Sequence, residues 1–159
     1  MKTLIIYASK HGCTEKCSNL LKDKINGEVK KVNIKKDNVP DIALFDNIII
    51  GGSIYMGRIQ KEVNEFCLKD LSQLKNKKLG FFICCMSEND ITEKQIKTSF
   101  PEELLSKAIA IENFGGEFIF KKMNFFERFI IKKISKTSND KSTISEEKIN
   151  KFAQLINNN

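Results

Sequence analysis

Strand-like and helix-like segments alternate along the whole of this chain, and that alternation constrains its fold more than any single motif. Residues 2–8, 47–51 and 78–85 carry apolar side chains at consecutive positions, the pattern of strands buried on both faces of a parallel sheet. Residues 28–34 alternate instead, with lysines on one face, which suits an edge strand. Residues 107–112 supply a fifth strand. Between them, residues 14–26 place Cys17, Leu20, Leu21 and Ile25 on one side of a helix ending near Gly27. Residues 61–74 bring Val63, Phe66, Cys67, Leu71 and Leu74 into helical phase. Residues 91–106 read as a helix broken at Pro101. Residues 137–143 are polar and loop-like, and Ser145 caps a last helix reaching Ile156. Five strands alternating with helices predict a doubly wound α/β sheet, in a single domain spanning residues 1–159.

Right-handed crossovers bring the loops at the carboxyl ends of the first, third and fourth strands together. The first loop is Ser9-Lys10-His11-Gly12-Cys13-Thr14, between a strand and a helix. N–H groups at a helix N-terminus have no intrahelical acceptor and carry the positive end of the helix dipole, so such a loop can cradle a phosphate. Gly12 allows close backbone approach, and the hydroxyls of Ser9 and Thr14 can donate further hydrogen bonds. An N-capped helix after a buried strand is the plainer alternative. The second loop, Gly51-Gly52-Ser53-Ile54-Tyr55-Met56-Gly57, is again glycine-bearing, and residues 86–90 form the third. A receiver domain needs clustered carboxylates after the first strand, where Tyr7-Ala8-Ser9 stands. A nucleotide-hydrolysing P-loop needs Gly-x-x-x-x-Gly-Lys-Ser/Thr, which is absent. A low-molecular-weight phosphatase needs a Cys six residues before an Arg, and no cysteine here has one.

The length suits one domain, residues 1–3 run straight into a strand without a leader, and no apolar run approaches a membrane span. The cytoplasm is the expected compartment. Five cysteines, odd in number and placed in strands and helices, argue against a disulfide framework. Cys13 and Cys17 lie one helical turn apart and could share a metal. With His11 the lone histidine and no Cys-x-x-Cys pair, packing is the preferred reading, and no metal is expected. Cys84 and Cys85 precede the third loop, where a redox-active thiol is conceivable. Alternation along a strand sends them to opposite faces and favours two separate core contacts.

The first loop, the Gly51–Gly57 block, Glu65-Phe66 and residues 125–132 together resemble the flavodoxin family. Within it they are similar to the short flavodoxin-like proteins typified by menaquinone-dependent protoporphyrinogen oxidase. The resemblance spans essentially the whole chain. It implies a three-layer sandwich with a five-stranded parallel sheet of order 2-1-3-4-5, the order for which flavodoxin is itself the type example. It also implies FMN as cofactor. Ser9, Lys10, His11, Gly12, Cys13 and Thr14 would hold the phosphate. Ser53, Ile54, Tyr55, Met56 and Gly57 would line one side of the isoalloxazine, and Cys85, Met86, Ser87, Glu88 and Asn89 the other. His11 stands where the family has a hydroxyl, offering a ring N–H in its place. No acid–base pair is implied, since electrons pass directly to the flavin. Two functions stay open: an FMN-dependent oxidoreductase oxidising protoporphyrinogen IX with a quinone, or an electron carrier between protein partners.

Residues 118–136 need their own explanation. Lys121, Lys122, Arg128, Lys132, Lys133 and Lys136 face Glu127 alone, so this stretch holds +5 of the chain's net +7. The charges are interleaved with Phe118, Phe120, Phe125, Phe126 and Phe129. One reading is a helix packing its Phe/Ile face on the sheet with its lysines solvated. A second is peripheral contact with an anionic membrane surface. Nucleic acid is disfavoured, because no recognition motif accompanies the charge. Carrier flavodoxins are typically acidic, which sets this basic chain apart from them.

Overall fold

The computed structural model of the chain describes residues 1–135 and 139–159, with Ile134 and Ser135 described by their backbone alone. In chain order the elements are β1 (Lys2–Ala8), α1 (Cys13–Lys22), β2 (Glu28–Asn33), β3 (Asn47–Tyr55), β4 (Arg58–Ile59), α2 (Lys61–Lys69) and α3 (Leu71–Leu74). There follow β5 (Lys78–Cys84), α4 (Asn89–Ser99), α5 (Glu102–Leu105), β6 (Ala108–Asn113), β7 (Glu117–Phe118), α6 (Phe125–Ser135), β8 (Lys141–Ser142) and α7 (Glu146–Asn157). The main sheet runs β2-β1-β3-β5-β6, all parallel, and β4 folds back antiparallel on β3. Counting the parallel strands alone, this is the expected order 2-1-3-4-5.

Alternation along the strands builds the three layers. Leu4, Ile6, Ile48, Ile50, Phe81 and Ile83 face one side, where Val63, Cys67, Leu74 and Leu104 from α2, α3 and α5 cover them. Ile5, Tyr7, Ile49, Phe82 and Cys84 face the other, against Cys17 and Leu21 of α1 and Ile149, Phe152 and Ile156 of α7. Cys84 and Cys85 do fall in opposite layers. On the second side Phe82 stacks on Phe114 at 4.7 Å, and Phe152 meets Phe114 edge-on at 5.3 Å.

Several boundaries differ from those read in the sequence. Helix α1 ends at Lys22, not at residue 26, because the next residues turn so that the Asn26 N–H can reach Asn157 Oδ1 at 2.9 Å. Helices α2 and α3 are separate, with Asp70 at the break (φ −100°, ψ 18°). Strand β3 does not stop at Gly51. It stays in the sheet as far as Ser53 opposite Cys84, then turns back at Met56 (φ 49°) and Gly57 (φ 79°). Two positive φ angles in a two-residue connection match the type I′ hairpin that suits strand twist. The glycine loop read after the third strand is therefore half strand and half hairpin. Within the stretch read as loop, β8 pairs with β7. Residues 136–138, which include Lys136 of the basic segment and the start of that loop, lie outside the described residues.

Gly51 serves packing rather than turning. A Cβ placed on it would lie 2.2 Å from the Phe82 ring. Gly51→Ala is expected to lower stability by about 2 kcal/mol through overpacking. Urea denaturation should show an earlier midpoint at unchanged slope, and an unmoved midpoint would contradict this packing role.

Candidate functional site

The carboxyl ends of β1, β3 and β5 open onto a cavity of about 810 Å³, within the range of small-molecule sites. Ser9, Lys10, His11 and Cys13 line it, with Ser53, Ile54, Tyr55, Met56 and Gly57 from the hairpin and Cys85, Met86, Ser87 and Glu88 from the loop after β5. Gly12, Thr14 and Asn89 are not among its lining residues. Gly12 is the N-cap of α1 at φ +94°, and its N–H donates to Ser9 Oγ at 3.1 Å, which folds the loop tightly. Thr14 lies in the first turn of α1, fully buried. Asn89 opens α4 in a left-handed conformation (φ 53°).

Among the described residues, His11 Nε2, Thr14 Oγ1, Asn47 Oδ1, Gln60 Oε1 and Gln95 Oε1 are buried without a hydrogen-bond partner, Asn47 alone at the opposite end of the sheet. Gln60 and Gln95 line the cavity, and Thr14 sits in the loop beside it. Buried polar groups are ordinarily satisfied, so unpartnered ones concentrated around one cavity mark it as a place built for a polar ligand.

Asn113 shapes the third loop. Its Oδ1 accepts from the N–H groups of Cys85 (3.2 Å) and Gly115 (3.0 Å), while its Nδ2 donates to the Ser87 carbonyl at 3.4 Å. Gly116 lets this loop pack closely, since a Cβ there would lie 2.5 Å from Met86 Cγ. Asn113-Phe114-Gly115-Gly116 reads in sequence as a mere turn. Its part in the site depends on contacts made some 28 residues back along the chain.

The least expected participant is Glu127. Helix α6 exposes Phe125, Phe126 and Phe129 (86%, 70% and 61% of their surfaces) while its acid is 3% exposed. Packing of the Phe/Ile face on the sheet therefore does not describe these phenylalanines. Asn124 and Glu127 form a reciprocal capping box: the Glu127 N–H donates to Asn124 Oδ1 at 2.8 Å, and the Asn124 N–H donates to Glu127 Oε2 at 3.1 Å. Two sequence signals point to Glu127, the Asn-x-x-Glu spacing and its place within the residues 125–132 that carry the resemblance. The same carboxylate accepts a hydrogen bond from Lys10 Nζ and lies 3.3 Å from His11 Nε2, so α6 is tied to the first loop. Lys10 Nζ also sits over the Tyr55 ring, 4.9 Å from its centre, linking that loop to the hairpin.

Burial opposes ionisation of Glu127, but the Lys10 hydrogen bond, the Asn124 N–H and the charges of His11 and Lys10 outweigh it and hold the carboxyl below its usual range. The hydrogen bond to Glu127 in turn raises Lys10 above its ordinary value. A lowered carboxyl contributes stability above the unfolded value and loses it as pH falls through the folded one. Lys10 is half exposed, so solvent screens part of the gain. Glu127→Gln keeps the capping box and removes the charge. It should cost about 1 kcal/mol at pH 7, a gap that closes below the carboxylate range. Urea melts at neutral and acid pH test this, and a gap that persists in acid would contradict it.

Residues 4–145 match the family model described as a flavodoxin domain. Protoporphyrinogen IX dehydrogenase (quinone) of Escherichia coli strain K12 is 21% identical over 92% of this chain and 86% of its own length. A short-chain flavodoxin associated with a non-canonical PDU bacterial microcompartment superposes with a TM-score of 0.61 at 16% identity, over 98% of this chain and 96% of that one. A Lactobacillus acidophilus NCFM flavoprotein, solved in complex with FMN, superposes with a TM-score of 0.53 at 21% identity, over 70% of this chain and 92% of that one. By family match, strand order and site placement, the chain belongs to the flavodoxin-domain family.

Proposed function

We propose that this chain binds FMN in the cavity and acts as an oxidoreductase that oxidises protoporphyrinogen IX and delivers the electrons to a quinone at a membrane surface. The observation that carries this reading is helix α6, which lines the cavity with Glu127, Ile130 and Ile131 while its outer face presents Phe125, Phe126, Phe129, Lys132 and Lys133. A helix that joins a cofactor-sized cavity to a basic, aromatic surface suits electron transfer to an acceptor dissolved in an anionic bilayer. Among the described residues no helix is long and apolar enough to cross a membrane, so the contact is peripheral in this reading.

The residues present suit FMN. The open first turn of α1, Gly12 at positive φ and the unpartnered Thr14 hydroxyl suit a phosphate. Ser53–Gly57 and Cys85–Asn89 would hold the ring system, with unpartnered amide oxygens of Gln60 and Gln95 available to its polar edge. When bound, FMN supplies the hydride- and electron-accepting chemistry. The protein's own part is to orient, to desolvate and to attract an acidic substrate. Lys10, Arg58 and Lys141 on the cavity lining complement the carboxylates of a porphyrinogen. The E. coli relative named for that activity supports the substrate.

The test is turnover. Chain loaded with FMN should oxidise protoporphyrinogen IX with menaquinone in anionic vesicles. Combined Lys132→Glu and Lys133→Glu should reduce that rate by about tenfold or more, with little effect when a water-soluble quinone is used. Absence of turnover, alongside efficient reduction by a flavodoxin reductase, would replace this reading with that of an electron carrier. Equal rates for the parent and the Lys132→Glu, Lys133→Glu variant in the vesicle assay would remove the membrane contact.

A further inference from the structure

Three sulfurs meet beneath the first loop. Cys13 opens α1, Cys17 follows one turn later and Cys84 ends β5; all three are buried, with their sulfurs within 4.8 Å of one another. Cys13 and Cys84 also line the cavity, so the cluster is shielded from bulk solvent yet reachable from inside. The remaining cysteines, Cys67 and Cys85, belong to the opposite layer of the sheet.

The surroundings favour a thiolate. Hydrogen bonds from the Cys17 and Cys84 thiols, the Glu117 backbone N–H and the nearby Lys16 charge hold Cys13 well below the ordinary thiol range, against the opposing effect of burial. Its place at the first residue of α1 acts in the same direction. The contact with Cys13 pushes Cys17 and Cys84 upward.

We propose that Cys13, Cys17 and Cys84 form a binding site for one thiophilic d10 cation of the Zn2+ class. In a tetrahedral thiolate centre with metal–sulfur bonds of about 2.3 Å, the sulfurs stand roughly 3.8 Å apart, a spacing compatible with three sulfurs that already lie within 4.8 Å of one another. No carboxylate or imidazole joins the cluster among the described residues, which selects soft cations over Mg2+ or Ca2+. On binding, each of the three that is still a thiol releases its proton to solvent. Three thiolates and a dication then leave a net charge of −1, beside the Lys16 ammonium. The remaining coordination position would be filled by water from the cavity that Cys13 and Cys84 line. The site does not depend on the flavin reading.

Cd2+ is the direct probe, added to the reduced chain without flavin, with Zn2+ bound first and displaced by it as the second arm. One equivalent should bind with a sulfur-to-metal charge-transfer band. X-ray absorption should count three sulfurs, and protons should be released as the metal binds. Cys17→Ala and Cys84→Ala should each weaken binding by more than about tenfold, the lower end of what losing even an outer-shell partner costs, while Cys67→Ala should match the parent. A count of one sulfur or none in the unmodified chain would overturn the site whatever the variants do. So would undiminished affinity in folded Cys84→Ala.

Discussion

The parallel ladder between β1 and β3, from Thr3 opposite Asn47 to Ala8 opposite Gly52, is the constraint on which the rest of the molecule depends. Its register is pinned at the start by a buried hydrogen bond from Asn47 Nδ2 to Thr3 Oγ1 at 3.1 Å. At this edge of the sheet the chain leaves β1 into α1 on one face, and leaves β3 through the β4 hairpin into α2 on the other. The divergence opens the cavity. Ligands in open α/β sheets lie at such a switch point for this geometric reason.

Helix α6 shows how a local inversion of polarity links that cavity to the surface. An ordinary amphipathic helix buries its phenylalanines and solvates its acid; α6 does the reverse. Burying Glu127 is tolerable because Asn124 and Lys10 supply hydrogen bonds, with His11 close by. Isolated, a carboxylate in that position would be expensive to desolvate. The phenylalanines stay exposed among the described residues, and large exposed apolar patches are a recurrent sign of interaction surfaces.

The fold was legible because consecutive apolar residues and helical phase are local signals, and the strand order followed from the resemblance. The first loop was legible for the same reason: a strand, a glycine and a helix start lie next to each other in sequence. What escaped were features made by distant residues. Glu127 reaches Lys10 across 117 positions, and Asn113 reaches Cys85 across 28. Cys84 joins Cys13 and Cys17 only because β5 packs against α1, so the sequence displayed two thiols where the fold assembles three. Gly51 misled in a different way. Read as a loop glycine, it is instead the space that lets Phe82 into the core.

Thr14 is where cofactor chemistry and stability can be separated. Its hydroxyl is buried without a partner, a cost borne by the free chain. Thr14→Val keeps the shape and removes the unsatisfied oxygen, so the free chain should become no less stable. The decisive measurement is the affinity of parent and Thr14→Val chains for FMN and for riboflavin, which lacks the phosphate. The parent should prefer FMN by roughly a hundredfold, the worth of about two charge-assisted hydrogen bonds, and the variant should lose much of that preference while binding riboflavin unchanged. Equal affinity of the parent for the two ligands would contradict a phosphate held by this loop.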